Sequence, residues 1–311
     1  MRYVFFINPV AGKGKGPALL TPVIEEYCTR ENLDYKIIIT EAKGDALNKA
    51  RLEAETGDDV TLFACGGDGT FFEVLNGAYP YKNVVLGAVP CGSGNDFLKN
   101  FGSASDFMNI ENQLTGAAVP MDIVMVDDVC CMNTCSMGMD AVVANSMTSF
   151  KKLPLVSGAL AYKLAVVKTF FGKLGINVTV KADGETIGTF PSLFVVCGNG
   201  TTYGGGYRAC PNADPSDAKL DWVIVEKISK LKILKFLKIF ERGEHIGLSF
   251  VKNGVCTVME LSSEKPAPIS IDGEIVFKDK VRFELVKGGI RFVLPRGICE
   301  KYSEKETAIS R

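Results

Sequence analysis

In the first 120 residues, short apolar runs alternate with helical patterns, and glycine clusters fall where runs end. Residues 3–7, 34–39, 60–64 and 84–88 read as strands. Residues 17–30, 45–55 and 70–77 carry the helical pattern between them. Strands alternating with helices of about a dozen residues fold into an α/β layer around a mostly parallel sheet. Ligands of such sheets collect outside the carboxyl ends of the strands. Every glycine cluster of this half falls there: Gly12–Gly16, Gly66–Gly69 and Gly92–Gly94.

The pattern changes after Pro120. Residues 121–126, 176–181, 192–197, 220–225, 256–261, 269–271, 281–286 and 291–294 read as strands, with helical stretches only at 155–172 and 229–242. That ordering predicts an antiparallel β domain over 121–294 with helices laid on it. The first domain then spans 1–120, and the polar tail 295–311 is free to return to it. A length of 311 residues suits two domains.

Composition removes several function classes. Thirty-five basic and 36 acidic residues leave a formal charge of -1, so no global field is available to hold nucleic acid. No run approaches the roughly 18 apolar residues that span a bilayer, and Asn8-Pro9 stops the N-terminal apolar run before a secretory signal could form. Ten cysteines dispersed through a large chain, with no CxxC pair, read as free thiols of a soluble cytoplasmic protein. His245 is the single histidine, which disfavours Ser-His-Asp and His-metal chemistry.

Chemistry concentrates in Gly66-Gly67-Asp68-Gly69-Thr70, at a strand-to-helix turn. Glycines let backbone N–H groups approach a phosphate, and the helix adds its positive end. Asp68 would repel phosphate unless Mg²⁺ lies between them, so it implies a metal-nucleotide; the other reading is a tight turn with a capping residue. Neither GxxxxGK[ST] nor GxGxxG is present. Asn8-Pro9-Val10-Ala11-Gly12 opens a second glycine loop, and Pro90-Cys91-Gly92-Ser93-Gly94-Asn95-Asp96 a third. Either could be a solvated turn alone; three at successive strand ends point to phosphate. Amides near Cys91 could lower its pKa, although an inert cysteine is the plainer expectation.

Together these three loops resemble the diacylglycerol kinase catalytic domain, and more closely the soluble bacterial lipid kinases of that superfamily. The resemblance continues through Tyr203-Gly204-Gly205-Gly206-Tyr207, Asp214-Pro215-Ser216-Asp217 and Ile271-Asp272-Gly273-Glu274. It implies a nucleotide-binding α/β domain like those of phosphofructokinases and NAD kinases, followed by a β-sandwich carrying the lipid site. It places ATP at Asn8, Pro9, Val10, Ala11, Gly12, Thr40, Gly66, Gly67, Asp68, Gly69, Thr70, Phe71, Phe72, Ser93 and Asn95. Asp68 would reach the nucleotide's Mg²⁺. Asp214, Asp217 and Lys219 match a second-domain metal site, Lys219 through a backbone carbonyl and Asp214 optionally so. Glu274 matches the proton acceptor, which suits a chain with so little histidine. Without the resemblance, Asp272-Gly273-Glu274 and Asp214-Pro215-Ser216-Asp217 read as turns. Two departures stand out: Ala218 replaces the family's usual glycine, which puts the freedom of that metal-site turn in question, and Ser93 replaces the usual threonine of the third loop but keeps its hydroxyl.

The expected reaction is ATP- and Mg²⁺-dependent phosphorylation of a lipid hydroxyl, most simply diacylglycerol to phosphatidic acid. The alternatives are an NAD-kinase-like kinase of a soluble substrate and an idle lipid or nucleotide sensor. Residues 227–242 form a basic amphipathic pattern that suits either transient contact with the inner membrane face or a helix packed on the sheet with solvated lysines. Residues 155–171, with Lys163 and Lys168, invite the same pair of readings. A homodimer stays open.

Overall fold

The computed structural model describes residues 1–92, 94–139, 141–142, 175–300 and 302. Ser93 and the helical stretch expected at 155–172 lie outside the described residues. The chain forms two compact units, Met1–Asp122 with the described part of Lys287–Arg311, and Ile123–Val286. The division falls inside two long strands.

The first unit is built from β1 (Arg2–Ile7), a single turn α1 (Ala11–Gly14), α2 (Gly16–Arg30), β2 (Tyr35–Ile39), α3 (Asp45–Glu55), β3 (Val60–Gly66), α4 (Asp68–Ala78), β4 (Val84–Pro90) and the short α5 (Ile110–Leu114). Its strands are parallel in the order β2-β1-β3-β4. The end of the chain's last strand adds alongside β4, Phe292 opposite Leu86. β3 and β4 are buried at all seven positions, as parallel strands covered on both faces must be. Phe5 stacks on Phe63 with ring centroids 5.0 Å apart. Gly87 makes room for that ring, because a Cβ there would overlap it. β1 is flanked by β2 on one side and β3 on the other, which makes the crevice between the β1 and β3 ends the topological switch point.

The second unit contains the rest of β5 (Ala117–Val126), then β6 (Val129–Cys131), β7 (Thr134–Gly138), β8 (Ile176–Ala182), β9 (Glu185–Gly198), β10 (Leu220–Glu226), α6 (Lys230–Arg242), β11 (Val251–Cys256), β12 (Val258–Ile271) and the first part of β13 (Glu274–Leu294). Its pairings are antiparallel. The long strands β9 and β12 each pair with β8 in one half and with β7 in the other. α6 packs Ile233, Phe236 and Phe240 against Phe194, Val196, Val223 and Val225. The α/β plus antiparallel β class read from the sequence is the one observed.

The strand expected over 256–261 is two strands. Cys256 ends β11 and Val258 begins β12. Between them the Asp183 carboxylate accepts from the Thr257 amide, the Thr257 hydroxyl and the Val258 amide. The separate runs at 281–286 and 291–294 are one strand of 21 residues.

Candidate functional site

At the carboxyl edge of the first unit's sheet, three loops are tied into one knot. Asn8 follows β1, and its Nδ2 donates to Thr70 Oγ1 at 3.0 Å across the switch point. Its Oδ1 accepts from Val10 N–H at 3.1 Å, which folds the first loop back on itself. Gly12 N–H donates to Cys91 O at 2.7 Å, joining the first loop to the third. Cys91 and Gly92 both donate to Gly66 O, at 2.8 and 3.0 Å, joining the third to the second. Thr40, the residue after β2, is buried and donates its amide to Ile7 O.

Glycine is required at several of these contacts. A Cβ on Gly92 would stand 2.6 Å from Gly67 Cα, and one on Gly94 would overlap Asp68 Oδ2. Gly12, at φ 60°, adopts the left-handed conformation that side chains disfavour. Gly69 differs from these. A Cβ there would meet nothing within 4 Å, so nothing in the chain demands its smallness. The space beside it, at the first turn of α4, is open. Among the described residues no side chain caps that helix end, and Val10 of the first loop is 76% exposed. The arrangement sets open space beside the positive end of α4, which suits an anion.

Asp68 does more than its sequence position implied. Its Oδ2 accepts from Asn95 N–H at 2.9 Å and its Oδ1 from Asp96 N–H at 2.7 Å. Charge-assisted bonds of this kind brace the third loop, where Asn95 is held at φ 54°. Asn95 is buried and its Nδ2 reaches Gly92 O, while Asp96 pairs with Lys99 at 2.6 Å. Phe71 is buried and stacks on Phe97; Phe72 is half-buried. Burial pushes the Cys91 thiol up, contrary to activation by nearby amides.

The remaining expected residues occupy the second unit. The turn between β12 and β13 has Asp272 at φ 47° and Gly273 at φ 92°, the paired left-handed geometry of a type I′ hairpin. Glu274 is the first residue of the returning strand, opposite Ile271. Sequence reasoning treated Asp272 only as part of the turn. Its carboxylate is turned inward and accepts from the amides of Met132 (2.6 Å), Asn133 (3.1 Å) and Thr134 (2.9 Å). Burial pushes its pKa up, and those N–H donors pull the other way. Thr134 O accepts in return from Asp272 N–H. The same end holds buried Asn133 and Asn199, which bond backbone carbonyls of Thr202 and Met132. An Asp-Gly pair signals the hairpin, but nothing in the sequence signals a cradle supplied from 140 residues away.

Asp214, Asp217 and Lys219 form the turn before β10. Asp214 Oδ1 accepts from the Ser216 amide and hydroxyl, and Asp217 Oδ1 from Lys219 N–H. Ala218 adopts φ 60°, the conformation glycine would supply freely. Asp221, which the sequence did not single out, has its pKa pushed up to about 6 by burial and by Asp217, with Lys219 opposing. Strand register relates the two turns. Ile271, Cys135, Cys197 and Trp222 lie in one row across β12, β7, β9 and β10. Three strand spacings put the turns at the same end of the sheet but roughly 14 Å apart. They therefore cannot share one directly bound ion.

Among the described residues, no three of His, Cys, Asp and Glu converge as a metal cage. Mg²⁺ commonly uses one or two carboxylates beside phosphate and water oxygens. Asp68 supplies a carboxylate of that kind at the first turn of α4, beside the open space at Gly69.

Comparison with known proteins supplies the remaining observations. Residues 2–126 match the diacylglycerol kinase catalytic domain, and residues 133–294 match the YegS C-terminal NAD kinase beta sandwich-like domain. The chain is 26% identical over 300 residues to a diacylglycerol kinase of Bacillus subtilis, covering 96% of this chain and 97% of that one. A diacylglycerol kinase structure from Bacillus anthracis superposes with a TM-score of 0.68 at 19% identity, covering 96% of this chain and 98% of that one. An Archaeoglobus fulgidus NAD kinase in complex with ATP superposes with a TM-score of 0.55 at 15% identity, over 98% of both chains. The two structural matches establish a shared fold.

Proposed function

This chain belongs to the bacterial diacylglycerol and lipid kinase family, and on that premise we propose that it transfers the γ-phosphate of ATP to the free hydroxyl of a membrane lipid, diacylglycerol yielding phosphatidic acid. The observation that carries the nucleotide half is the knot of three glycine loops at the switch point, with open space beside Gly69. The triphosphate lies against the first turn of α4 beside Gly69, flanked by the first and third loops, and the adenine base reaches toward Thr40. Mg²⁺ accompanies the nucleotide and would be held by Asp68; when bound, it neutralises charge on the transferring phosphoryl group. Asp68 also braces the third loop by accepting from the Asn95 and Asp96 amides, so the loop beside the phosphates is organised before ATP arrives.

In the second unit, Glu274 takes the proton of the lipid hydroxyl as its oxygen attacks phosphorus. Asp272 fixes the turn that carries Glu274. Such a base commonly contributes 10²–10⁴-fold. Asp214, Asp217 and the Lys219 carbonyl would hold a second cation, which when bound would stiffen the turn before β10. Supporting that role is a turn already folded around its carboxylates, with Ala218 strained to keep it.

Incubation with labelled ATP, Mg²⁺ and a total lipid extract, read by mass spectrometry, tests the proposal. Phosphate appearing on a hydroxylated lipid supports it. Phosphate on NAD instead, or ATP binding without turnover on any lipid, overturns it.

A further inference from the structure

The outward face of α6 has no role in the site described. Its inward face is Ile233, Phe236 and Phe240, all at most 3% exposed. Directly opposite, at helical spacing, run Leu231, Lys235, Lys238 and Arg242, with Leu234 beside them. Leu231 is 78% exposed and Leu234 53%, on a helix whose core face is fully occupied. Lys230 and Lys232 flank this stripe, and Glu241 is the one acid among five basic residues of the helix. Gly243, at φ 74°, ends the helix and leaves its basic last turn at the surface.

Among the described residues, the core cluster beneath α6 includes neither leucine. Leucine gains by entering a bilayer interface, while lysine stems extend and keep their ammonium groups at the headgroups. A second copy of this chain is a poor occupant, because two such faces would bring ten basic residues against two acids.

We propose that α6 is a docking helix for anionic lipid bilayers, with Leu231 and Leu234 entering the interface and Lys235, Lys238 and Lys232 contacting acidic headgroups. The helix lies parallel to the membrane plane with Phe236 and Phe240 still in the protein core. The idea rests on the lipid-kinase reading only for its purpose, which is to hold the enzyme where its substrate is. Each lysine near such a surface is worth about fivefold in partitioning, and the attraction is screened by salt.

Sedimentation with vesicles of phosphatidylcholine alone, or with about a third phosphatidylglycerol, tests the proposal with ATP left out. The full chain should bind the mixed vesicles and not the neutral ones, and raising salt should release it. Lys235→Glu with Lys238→Glu should cut binding at least about 25-fold. Leu231→Asp with Leu234→Asp should abolish it, and all four positions are exposed. Both variants should keep wild-type turnover on a short-chain, monomeric diacylglycerol. Equal binding of wild type to neutral and anionic vesicles, or unchanged binding by both variants, overturns the docking role. Vesicle binding without phosphorylation of any lipid would leave α6 docking intact and refute the kinase reading alone.

Discussion

Replacing Gly69 by alanine separates a glycine kept for the fold from one kept for a ligand. A methyl group at Gly69 meets no atom of the chain within 4 Å. The residue lies in the first turn of α4, where alanine is the better helix former by up to ~1 kcal/mol. Folding should therefore be unharmed, with a melting temperature unchanged or raised by about 2–4 °C. Nucleotide binding should suffer. On the proposed placement of ATP, the methyl group fills the space through which phosphate approaches the helix amides, and a hydrogen bond to a charged group is worth about 1.5–3 kcal/mol. Losing one raises the KM for ATP roughly 10- to 150-fold. Gly94→Ala makes the opposite control, because its methyl group overlaps Asp68 Oδ2 and should cost about 1–3 kcal/mol of stability. Melting curves with and without Mg-ATP, together with KM for ATP, measure both. A Gly69→Ala protein with wild-type KM and undiminished stability would refute the placement of phosphate at that turn.

Ala218→Gly should stabilise the second unit by about 1 kcal/mol, because glycine accepts φ 60° without the left-handed penalty; an unchanged or lower melting temperature contradicts this. His245 is buried against Phe240, with Nε2 3.1 Å from Ala209 O and, among the described residues, no partner for Nδ1. Burial holds its pKa below the ordinary value, so the folded chain keeps it neutral while the unfolded chain takes a proton below pH about 6.5. Stability should therefore be fully present above that pH and fall as pH drops through it. His245→Gln should flatten the fall in urea titrations between pH 5 and 8. An equal fall in both proteins would exclude His245 as its source.

How much of this was readable from the chain varies by element. The α/β half was, because β1, β3 and β4 are continuous apolar runs and α3 carries its period from end to end. The β half was read in fragments. Residues 256–261 and 269–271 read as separate strands, whereas β12 runs on through Pro266 and Pro268, with a register shift between Ser262 and Ala267. β6 and β7 are short and were missed altogether. Three glycine loops pointed to phosphate because glycine at strand ends has a local cause. Asp68 bracing Asn95, and Asp272 in the amides of Met132–Thr134, depend on partners 27 to 140 residues away. No local pattern encodes such a partner.

The proposed reaction is phosphorylation of a lipid hydroxyl with Glu274 as its base. Transfer of label from γ-labelled ATP to diacylglycerol in mixed micelles, by wild type and by Glu274→Gln, tests it most directly. The account predicts labelled phosphatidic acid from wild type and a rate reduced about 10²–10⁴-fold in the variant, with KM for ATP unchanged. Equal rates in the two proteins, or no labelled lipid from wild type, would contradict it.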